Sequence, residues 1–408
     1  MRILFLHQNF PGQFGRLAAH LAQDTDNQVV TLGEQKGGKR FRVAGVHDYW
    51  YAAPDKASDA THHYLRRLEG EVRRGQGAYR AMRELKKKGF DPDVVYAHPG
   101  WGEALFAKDI FPKAKLICFW EWYYNAFDGG HGYDPEFPAA LDSVLRTRIT
   151  NATHLLTYPA ADWGITPTQW QRNRFPEFMH RNMSVIHDGI DTTLVKPDPD
   201  VVFQVSGTDI AVTRKDEVLT YVSRNLEPYR GFHTFMRALP EILESRPNCR
   251  VLIAGENGVS YGAKLPKGQT YKQKYLDETG LKSDRVHFLG RLPYMDYLKM
   301  LQVSTVHTYL TYPFVLSWSS MEAMAAGCLM VGSDTPPVRE VLEDEKNGRL
   351  VRKPLDPKAV AERIVDTLAE APELKHLRDN ARRSMVENYD FKTVCLPKQL
   401  EMIRNQLG

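Results

Sequence analysis

The chain has 408 residues, of which 42% are hydrophobic and 25% are charged, and its formal net charge is +4 at pH 7. This length is sufficient for two domains of ordinary size, and the composition is that of a globular protein rather than a disordered one. The small positive excess does not indicate a nucleic-acid partner. The four cysteines lie far apart and form no CxxC pair, which is typical of reduced thiols in a cytosolic protein.

The first residues contain an apolar run of only four positions, Ile3 to Leu6. This run is too short for the core of a secretory signal peptide. No stretch approaches the roughly 18 uninterrupted apolar residues of a membrane span. We therefore expect a soluble, cytoplasmic protein.

Short apolar runs alternate with amphipathic segments along the chain, which is typical of βα units around parallel sheets. The first series of predicted strands is Arg2–Leu6, Gln28–Leu32, Val94–Ala97, Lys115–Trp120, His154–Tyr158 and Met183–Ile186. The second series is Val218–Val222, Arg250–Ala254, Val286–Leu289, Val306–Leu310 and Leu329–Gly332. Two such series predict an α/β protein with two doubly wound domains.

A segment rich in proline and aspartate, Lys196 to Asp200, separates the two series and has the composition of a linker. The sequence therefore predicts an N-terminal domain of residues 1–195 and a C-terminal domain of residues 196–389. A final helix at about 390–408 is assigned to the N-terminal domain.

The segment from Thr61 to Lys88 is predicted to be a helix with many basic residues and an intermittent apolar stripe. Two interpretations remain open. One is a helix face exposed to solvent. The other is a surface that meets anionic lipid or a phosphorylated acceptor, which would place the protein peripherally at the inner face of a membrane.

The first segment with clear chemical content is 312–327, where a predicted strand ends, a turn follows, and Ser317 or Ser319 can cap a helix. A helix that begins at the carboxyl end of a strand offers backbone N–H groups to a phosphate. Glu322 lies about one turn inside this helix. Its carboxylate could accept hydrogen bonds from ribose hydroxyls, or it could only complement the helix dipole.

The second such segment is 221–232, where Arg224 and Arg230 flank a predicted strand-to-helix turn and Gly231 permits close approach of the backbone. Guanidinium groups suit bidentate contact with phosphate oxygens. Together they could neutralise a diphosphate leaving group without a metal. The alternative is a pair of surface arginines in salt bridges.

The order and spacing of four motifs resemble the family-4 retaining glycosyltransferases. These motifs are Ser-Arg-(x)5-Arg-Gly-Phe at 223–232, Leu-Ile-Ala-Gly-Glu at 252–256, Val-His-Phe-Leu-Gly-Arg at 286–291 and Glu-Ala-Met-Ala-Ala-Gly at 322–327. In the first half, residues 92–98 resemble that family's strand leading to the cleft. Residues 185–191 resemble its closing turn. The resemblance covers nearly the whole chain. It implies the GT-B fold, in which two Rossmann-like domains face a central cleft that holds a nucleotide-sugar donor.

Site residues follow from this resemblance, position by position. Arg224 and Arg230 match the pair that binds the donor diphosphate, and Glu322 matches the glutamate that binds the ribose. The nucleobase is assigned to the backbone around Arg291 and Leu292. The remaining donor-binding positions, which present mainly backbone groups to phosphate or sugar, are Val315, Leu316, Ser317 and Ser319.

In the first domain, residues 11–15 resemble a shortened form of the family's glycine loop, and this assigns Gly12 and Gln13 to the donor site. The loop has neither the GxGxxG pattern of dinucleotide-binding proteins nor a GxxxxGK[ST] P-loop. It therefore does not support a dinucleotide-dependent oxidoreductase or an NTPase.

Two positions depart from the family. The glutamate that usually precedes Glu322 by eight residues and contacts the donor sugar is Phe314 here, with Tyr309, Tyr312 or Ser317 as candidate replacements. After the strand at 115–120, the family often has a histidine near the reacting carbon, whereas this chain has Glu121. Glu121 could orient the acceptor, bind a donor hydroxyl or stabilise a cationic sugar, or it could be an ordinary surface glutamate.

The combined prediction is a metal-independent retaining glycosyltransferase without a cofactor. It would move a sugar from a UDP- or GDP-sugar to a hydroxyl of a glycan, polysaccharide or lipid-linked acceptor, with Arg224, Arg230 and Glu121 in catalytic roles. The two Asp-Pro-Asp triplets are interpreted as turns rather than metal ligands. His62 and His63 are too close in sequence to form a helical metal pair. Two alternatives remain: a GT-B nucleotide-sugar epimerase and a non-catalytic subunit that binds sugar nucleotides.

Overall fold

A computed structural model describes residues 1–35, 42–127, 130 and 132–408. The chain forms two compact units. The N-terminal unit comprises Met1–His131, Ala139–Asp188 and Cys395–Gly408, and the C-terminal unit comprises Gly132–Pro138 and Gly189–Val394. The sequence placed the boundary between residues 195 and 196, and it did not anticipate that 132–138 would join the C-terminal unit.

The described part of the N-terminal unit contains a seven-stranded parallel sheet with the strand order β3-β2-β1-β4-β5-β6-β7. Its strands are β1 (Arg2–Leu6), β2 (Gln28–Gln35), β3 (His47–Ala52), β4 (Val94–Ala97), β5 (Lys115–Phe119), β6 (Trp163–Thr166) and β7 (Met183–Val185). Its first helices are α1 (Gly15–Leu21), α2 (Arg66–Lys87), α3 (Ala107–Ile110), α4 (Leu141–Thr150), α5 (Ala152–Thr157), α6 (Gln169–Arg174) and α7 (Glu177–His180). The order is that of a Rossmann sheet, with one strand added at an edge.

The C-terminal unit repeats this plan with a six-stranded parallel sheet in the order β12-β11-β10-β13-β14-β15 and an antiparallel hairpin of β8 and β9. The strands are β8 (Val202–Gln204), β9 (Ala211–Thr213), β10 (Val218–Asn225), β11 (Arg250–Glu256), β12 (Val286–Gly290), β13 (Val306–Tyr309), β14 (Leu329–Ser333) and β15 (Arg349–Val351). The helices are α8 (Phe232–Ser245), α9 (Tyr271–Thr279), α10 (Tyr294–Gln302), α11 (Trp318–Ala325), α12 (Pro336–Arg339), α13 (Pro357–Ala369) and α14 (Lys375–Tyr389). The last helix, α15 (Leu396–Leu407), belongs to the N-terminal unit.

The central strands are apolar along almost their whole length because helices cover both faces of a parallel sheet. In β1, Ile3 to Leu6 are fully buried, and β14 is buried from Leu329 to Ser333. This continuous burial made most of the strands predictable. Ten of the eleven predicted strands are confirmed, with differences of a few residues at their ends.

The predicted strand at His154–Tyr158 is wrong, because residues 152–157 form α5. Asn151, which precedes it, has right-handed helical backbone angles and connects α4 to α5. The apolar residues that suggested a buried strand, Leu155 and Leu156, are exposed. On the side of β5 away from β4, the pairing strand is β6, whose mixed sequence from Trp163 to Thr166 is a weaker signal.

The basic segment forms α2, as predicted, although the helix begins at Arg66. Its residues Met82 and Leu85 pack into the core of the N-terminal unit, so part of its apolar stripe is structural. No helix among the described residues is long and apolar enough to cross a membrane.

Candidate functional site

In the C-terminal unit, the strand order reverses between β10 and β13, which pair side by side and parallel. Strand β11 continues the sheet on one side of this pair and β14 continues it on the other. Ligands of open α/β sheets bind beyond the carboxyl ends of the strands at such a switch point. Arg224 lies near the end of β10 and Arg230 follows that strand, while the turn before α11 follows β13, so the residues predicted from the sequence gather at this end of the sheet.

Arg230 is buried, with 7% of its surface exposed. Its Nη1 donates three hydrogen bonds, to the hydroxyl of Tyr309 at 3.1 Å, to Thr311 Oγ1 at 2.9 Å and to the carbonyl oxygen of Val315 at 3.1 Å. The guanidinium also lies over the Phe314 ring, 5.2 Å from its centroid. A buried guanidinium group whose Nη1 is bonded to three acceptors is fixed in position, which suits the recognition of an anion.

Arg224 lies at the end of β10 and is exposed. It has no ion-pair partner among the residues that the structure describes, which does not favour the alternative of arginines used in salt bridges. The two arginines therefore differ. Arg230 is buried and held by three acceptors, whereas Arg224 is a long side chain exposed at the end of β10.

Gly231 joins Arg230 to α8 with a positive φ of 68°. A Cβ atom at this position would lie 2.3 Å from Cβ of Leu310. Neither the backbone angle nor the space tolerates a side chain. The predicted need for glycine next to Arg230 thus has a specific cause, the close packing of this turn on the end of β13.

The start of α11 is tied to Arg230 through Tyr309. Ser317 occupies the N-cap position with extended backbone angles, as one of the two predicted caps, but its side chain makes no capping hydrogen bond. Instead its backbone N–H donates to the hydroxyl of Tyr309 at 2.9 Å. The first turn of a helix has N–H groups without partners inside the helix, and these can bind a phosphate.

Glu322 lies one turn inside α11 and is 6% exposed. Its two carboxylate oxygens accept hydrogen bonds from two tyrosines of α10, Oε1 from Tyr294 at 2.7 Å and Oε2 from Tyr297 at 2.8 Å. Burial, followed by the neighbouring Glu322 charge, raises the pKa of Tyr297 well above 10, so this hydroxyl remains a donor. The sequence did not predict either tyrosine, since nothing in the local pattern connects α10 to α11.

The other predicted donor-binding positions lie around this group. Arg291 is exposed and Leu292 half-buried in the turn between β12 and α10, directly before Tyr294. Val315 contributes its carbonyl oxygen to Arg230. The side chain of Leu316 is in the core, so this residue can offer only backbone, and Ser319 is half-buried in the first turn of α11.

Phe314, which replaces the family's glutamate, belongs to an aromatic cluster with Tyr229 and Tyr261. Its ring is perpendicular to that of Tyr229 at 5.1 Å and tilted against that of Tyr261 at 4.8 Å. Of the three candidate replacements, Tyr309 contacts Arg230 and Ser317, and the Tyr312 hydroxyl donates to Asp134 at 2.5 Å.

Sequence reasoning gave no role to Glu227, a fully buried carboxylate between the two arginines. It accepts three backbone hydrogen bonds, from Ser260 at 2.9 Å, Tyr261 at 3.1 Å and Gly262 at 2.8 Å. These bonds fix the loop that carries Tyr261 beside Arg230. A charged residue inside a strand-to-helix turn was the available signal, but its partners lie more than 30 residues away in the sequence.

In the N-terminal unit, Glu121 follows the end of β5 and receives a hydrogen bond on each carboxylate oxygen. Gln13 Nε2 donates to Oε1 at 2.7 Å, and His98 Nε2 lies 3.0 Å from Oε2. Since the other ring nitrogen of His98 accepts from the N–H of Gly100 at 3.2 Å, Nε2 of His98 carries a proton that points at Glu121. The predicted residues Gln13 and Glu121 thus meet, although 108 positions separate them.

A second histidine extends this network. His7 Nε2 lies 2.9 Å from Oε1 of Gln13, and its Nδ1 accepts from the N–H of Asn9 at 3.0 Å. His7 therefore orients the Gln13 amide so that its NH2 group faces Glu121. Burial alone would raise the pKa of Glu121, but the hydrogen bond and charge of His98, together with His7 and Gln13, outweigh it and lower this pKa. Glu121 is thus an anion at neutral pH.

Gly12 is required by the same network. Its φ is +43°, and a Cβ there would lie 2.3 Å from the imidazole of His7. His98 in turn stacks on Trp101, with ring centroids 3.9 Å apart. Sequence reasoning missed His7 and His98; both stand at or just beyond the carboxyl end of a predicted strand, which is the signal that could have found them.

The two groups of residues have complementary chemistry. The C-terminal unit offers cations and a helix start, which suit a diphosphate, and a buried carboxylate, which suits a pair of hydroxyls. The N-terminal unit offers an oriented anion, which can accept hydrogen bonds from a sugar. No cluster of three or more residues that could hold a metal ion occurs in the described ranges.

Comparisons with known proteins agree with this fold. Residues 25–195 match the model of the glycosyl transferase family 4 group, and residues 209–384 match that of the glycosyl transferases group 1. Among curated proteins, spore coat protein SA of Bacillus subtilis is 26% identical over 82% of each chain. The phosphatidyl-myo-inositol mannosyltransferase of Mycobacterium tuberculosis is 28% identical over 45% of this chain and 46% of its own.

Solved structures show the same architecture over the full length. Anabaena HepE, solved in complex with UDP and glucose, has a TM-score of 0.68 at 18% identity and covers 99% of this chain and 100% of its own. Sucrose-phosphate synthase from Thermosynechococcus elongatus has a TM-score of 0.74 at 15% identity, with 100% and 99% covered.

Two Rossmann-like units with these neighbours define a protein of the GT-B class. The two matched ranges together span most of the sequence. The chain belongs to the family-4, group 1 glycosyltransferases, and the resemblance seen in its motifs is confirmed at the level of family and fold.

Proposed function

We propose that this glycosyltransferase moves a sugar from a nucleotide diphosphate sugar, UDP- or GDP-linked, to an acceptor hydroxyl with retention of configuration. The observation that carries the proposal is the joint placement of buried Arg230 and the start of α11, which share the hydroxyl of Tyr309. Arg230, with Arg224 nearby, would bind the diphosphate, and Glu322 would bind the ribose. Cations and helix N–H groups would stabilise the charge that develops on the diphosphate as the glycosidic bond breaks.

The reaction would need no metal, since the two guanidinium groups supply positive charge where a cation would otherwise act. The departing phosphate oxygen would help to deprotonate the acceptor hydroxyl on the same face of the sugar. In the N-terminal unit, the Glu121 anion would accept a hydrogen bond from the acceptor or from a donor hydroxyl. Similarity over part of the chain to a phosphatidyl-myo-inositol mannosyltransferase supports a lipid-linked acceptor, and a glycan or polysaccharide acceptor is the alternative.

Nucleotide binding tests the site assignment. Calorimetry with UDP and GDP should show a loss of affinity of about tenfold or more for Arg224→Ala, Arg230→Ala and Glu322→Ala, because each removes a charge-assisted contact. Arg383→Ala removes an exposed arginine from α14 and serves as the matched control. Wild-type affinity in all three site variants would overturn the assignment.

The stereochemistry and the metal requirement are tested on the product. NMR of the anomeric centre should show the configuration of the donor, and an inverted linkage would refute retention. Activity should survive EDTA; a loss that Mg²⁺ or Mn²⁺ restores would refute metal independence. Donor epimerised without acceptor would favour the epimerase alternative, and nucleotide binding without transfer or hydrolysis would favour the non-catalytic one.

A further inference from the structure

Helices α4 and α5 present their apolar side chains to solvent. Leu141 is 73% exposed, Leu145 52%, Leu155 42% and Leu156 59%. Asn151 between the two helices has φ −84° and ψ −2°, so the helical path continues and Leu145 and Leu156 lie about three turns apart on one side. We name these four residues the leucine face.

The opposite side of the same two helices is polar and buried. Its buried residues are Thr147, Asn151, Thr153, His154 and Thr157. The Asn151 amide accepts from the N–H of Tyr124 at 2.8 Å and donates to its carbonyl oxygen at 2.7 Å, and Thr153 donates to the buried carboxylate of Glu71. Rotating the helices to bury their leucines would break these bonds, so the fold itself holds the leucines outward.

This arrangement is the reverse of an ordinary surface helix, which buries its apolar stripe. Contiguous exposed apolar surface marks a site of contact with another molecule or a membrane. The charges beside the leucine face are mainly positive. Arg146 and Arg148 are exposed on α4, and the single acid of the segment 141–157, Asp142, is engaged by His63 at 2.9 Å.

We propose that the leucine face docks the protein on a bilayer that contains anionic lipid. Leucines enter the boundary between headgroups and acyl chains, and the adjacent arginines pair with lipid phosphates. The turn before α2 joins this surface, since His63 Nε2 lies 2.9 Å from Asp142 Oδ1, and α2 itself packs beside α4. Met82 and Leu85 of α2 point into the core, so that helix contributes little apolar anchoring.

Vesicle flotation with the full chain tests this docking. We expect wild type to bind vesicles of phosphatidylcholine with about a third phosphatidylglycerol more strongly than phosphatidylcholine alone, and less strongly as salt rises. The double variant Leu145→Gln/Leu156→Gln should weaken binding about tenfold or more, through lost apolar burial. Arg146→Gln/Arg148→Gln should weaken binding to the anionic vesicles only.

The control is Val202→Gln/Leu194→Gln, which changes two comparably exposed apolar residues, 53% and 43%, of the C-terminal unit. It should bind vesicles as wild type does. Absence of wild-type binding at low salt, or equal binding by the leucine double variant, would overturn the proposal. A dimer in light scattering that the leucine variant dissociates, without vesicle binding, would also overturn it and assign the face to a second copy. Unchanged UDP affinity in the variants would show that the fold is intact and keeps this result separate from that of the proposed transfer.

Discussion

The hydroxyl of Tyr309 lies 3.1 Å from Nη1 of Arg230, at the carboxyl end of β13. The same hydroxyl accepts the backbone N–H of Ser317 at 2.9 Å. One oxygen atom therefore connects the buried cation to the helix start, the two features that we assign to the donor diphosphate. Tyr309 positions both without being required to touch the donor.

Replacing Tyr309 by phenylalanine removes an acceptor from Arg230 and from Ser317 while keeping the ring. We expect a loss of about 1–3 kcal/mol in the free energy of unfolding, because two donors lose their partner, and a fall in UDP or GDP affinity of about tenfold. Tyr271→Phe, which removes a hydroxyl bonded to Ala263 elsewhere in the same unit, should destabilise without changing the affinity. Equal affinity in both variants would refute the positioning role.

The two tyrosines on Glu322 should behave differently. Tyr294 is 42% exposed, so ribose hydroxyls can replace its hydrogen bond, and Tyr294→Phe should change nucleotide affinity by no more than about threefold. Tyr297→Phe removes the inner donor and lets the carboxylate rotate, which should weaken binding about tenfold. Calorimetry with UDP and 2′-deoxy-UDP measures these affinities. The preference for UDP over 2′-deoxy-UDP should be smaller in Tyr297→Phe than in wild type. The reverse order of effects would show that Tyr297 does not orient Glu322.

Glu227 should be a stabilising residue rather than a ligand. Glu227→Gln removes the charge that three backbone N–H groups share, and we expect a loss of at least about 2 kcal/mol in the free energy of unfolding, together with faster proteolysis near residues 260–262. Glu256→Gln changes an exposed glutamate at the end of β11 and should leave both unchanged. Stability equal to that of the control would mean that the loop is held by other contacts.

The pH dependence of transfer should report the hydrogen bonds on Glu121. Its pKa lies below the usual 4.5, so the anion is present above that value and is lost as the pH falls through the lowered one. His98→Ala removes a donor that lowers this pKa, and the acidic limb of kcat/KM should therefore move to higher pH. His376→Ala, an exposed histidine of α14, should leave the limb in place. An unshifted acidic limb in His98→Ala would show that His98 does not influence the protonation of Glu121.

Acid stability should depend on Asp134, which receives the Tyr312 hydroxyl and lies 2.8 Å from His233 Nε2. Burial alone would raise the pKa of Asp134, but the hydrogen bonds from His233 and Tyr312 outweigh it and lower this pKa from 3.8 to about 2. The stabilisation, about 2 kcal/mol, is present above 3.8 and is lost as the pH falls toward 2.

Urea unfolding of wild type and Asp134→Asn should therefore differ by about 2 kcal/mol at pH values near 6 and converge as the pH approaches about 2. The exposed Asp200 provides the control, since Asp200→Asn should match wild type throughout. A difference that does not depend on pH would show that the Asp134 charge is not what stabilises this contact.

The sequence was sufficient for most strands of the two sheets because strands buried on both faces are apolar at nearly every position, as in β1 and β14. Strands β3, β6 and β15 were not predicted. The sequence was also sufficient for the turn at Gly231, where a strand end, an arginine and a glycine occur together. The strand predicted at His154–Tyr158 was wrong because Leu155 and Leu156 are apolar without being buried. A local pattern records that a residue is apolar, and the tertiary fold decides whether it is inside.

The partners of the site residues were beyond the reach of the sequence for a similar reason. Tyr294 and Glu322 are 28 residues apart, and they meet only because α10 packs beside α11. Glu121 was identified as a candidate from its place after a strand, but its donors His98 and Gln13 come from two other strand ends. The distances between the ends of different strands follow from the strand order of the sheet, and no single segment of the sequence encodes that order.

The short segment 132–138 belongs to the C-terminal unit although residues on both sides of it belong to the N-terminal unit. Its buried residue Asp134 contacts Tyr312 and His233, and Glu136 adds an ion pair with Arg237 at 2.6 Å. The C-terminal unit is consequently not one uninterrupted stretch of coding sequence. A fragment or chimaera made from residues 189–394 alone would lack the hydrogen-bond acceptor of Tyr312 and the partner of His233, so exchange of this unit between relatives has to carry this segment along.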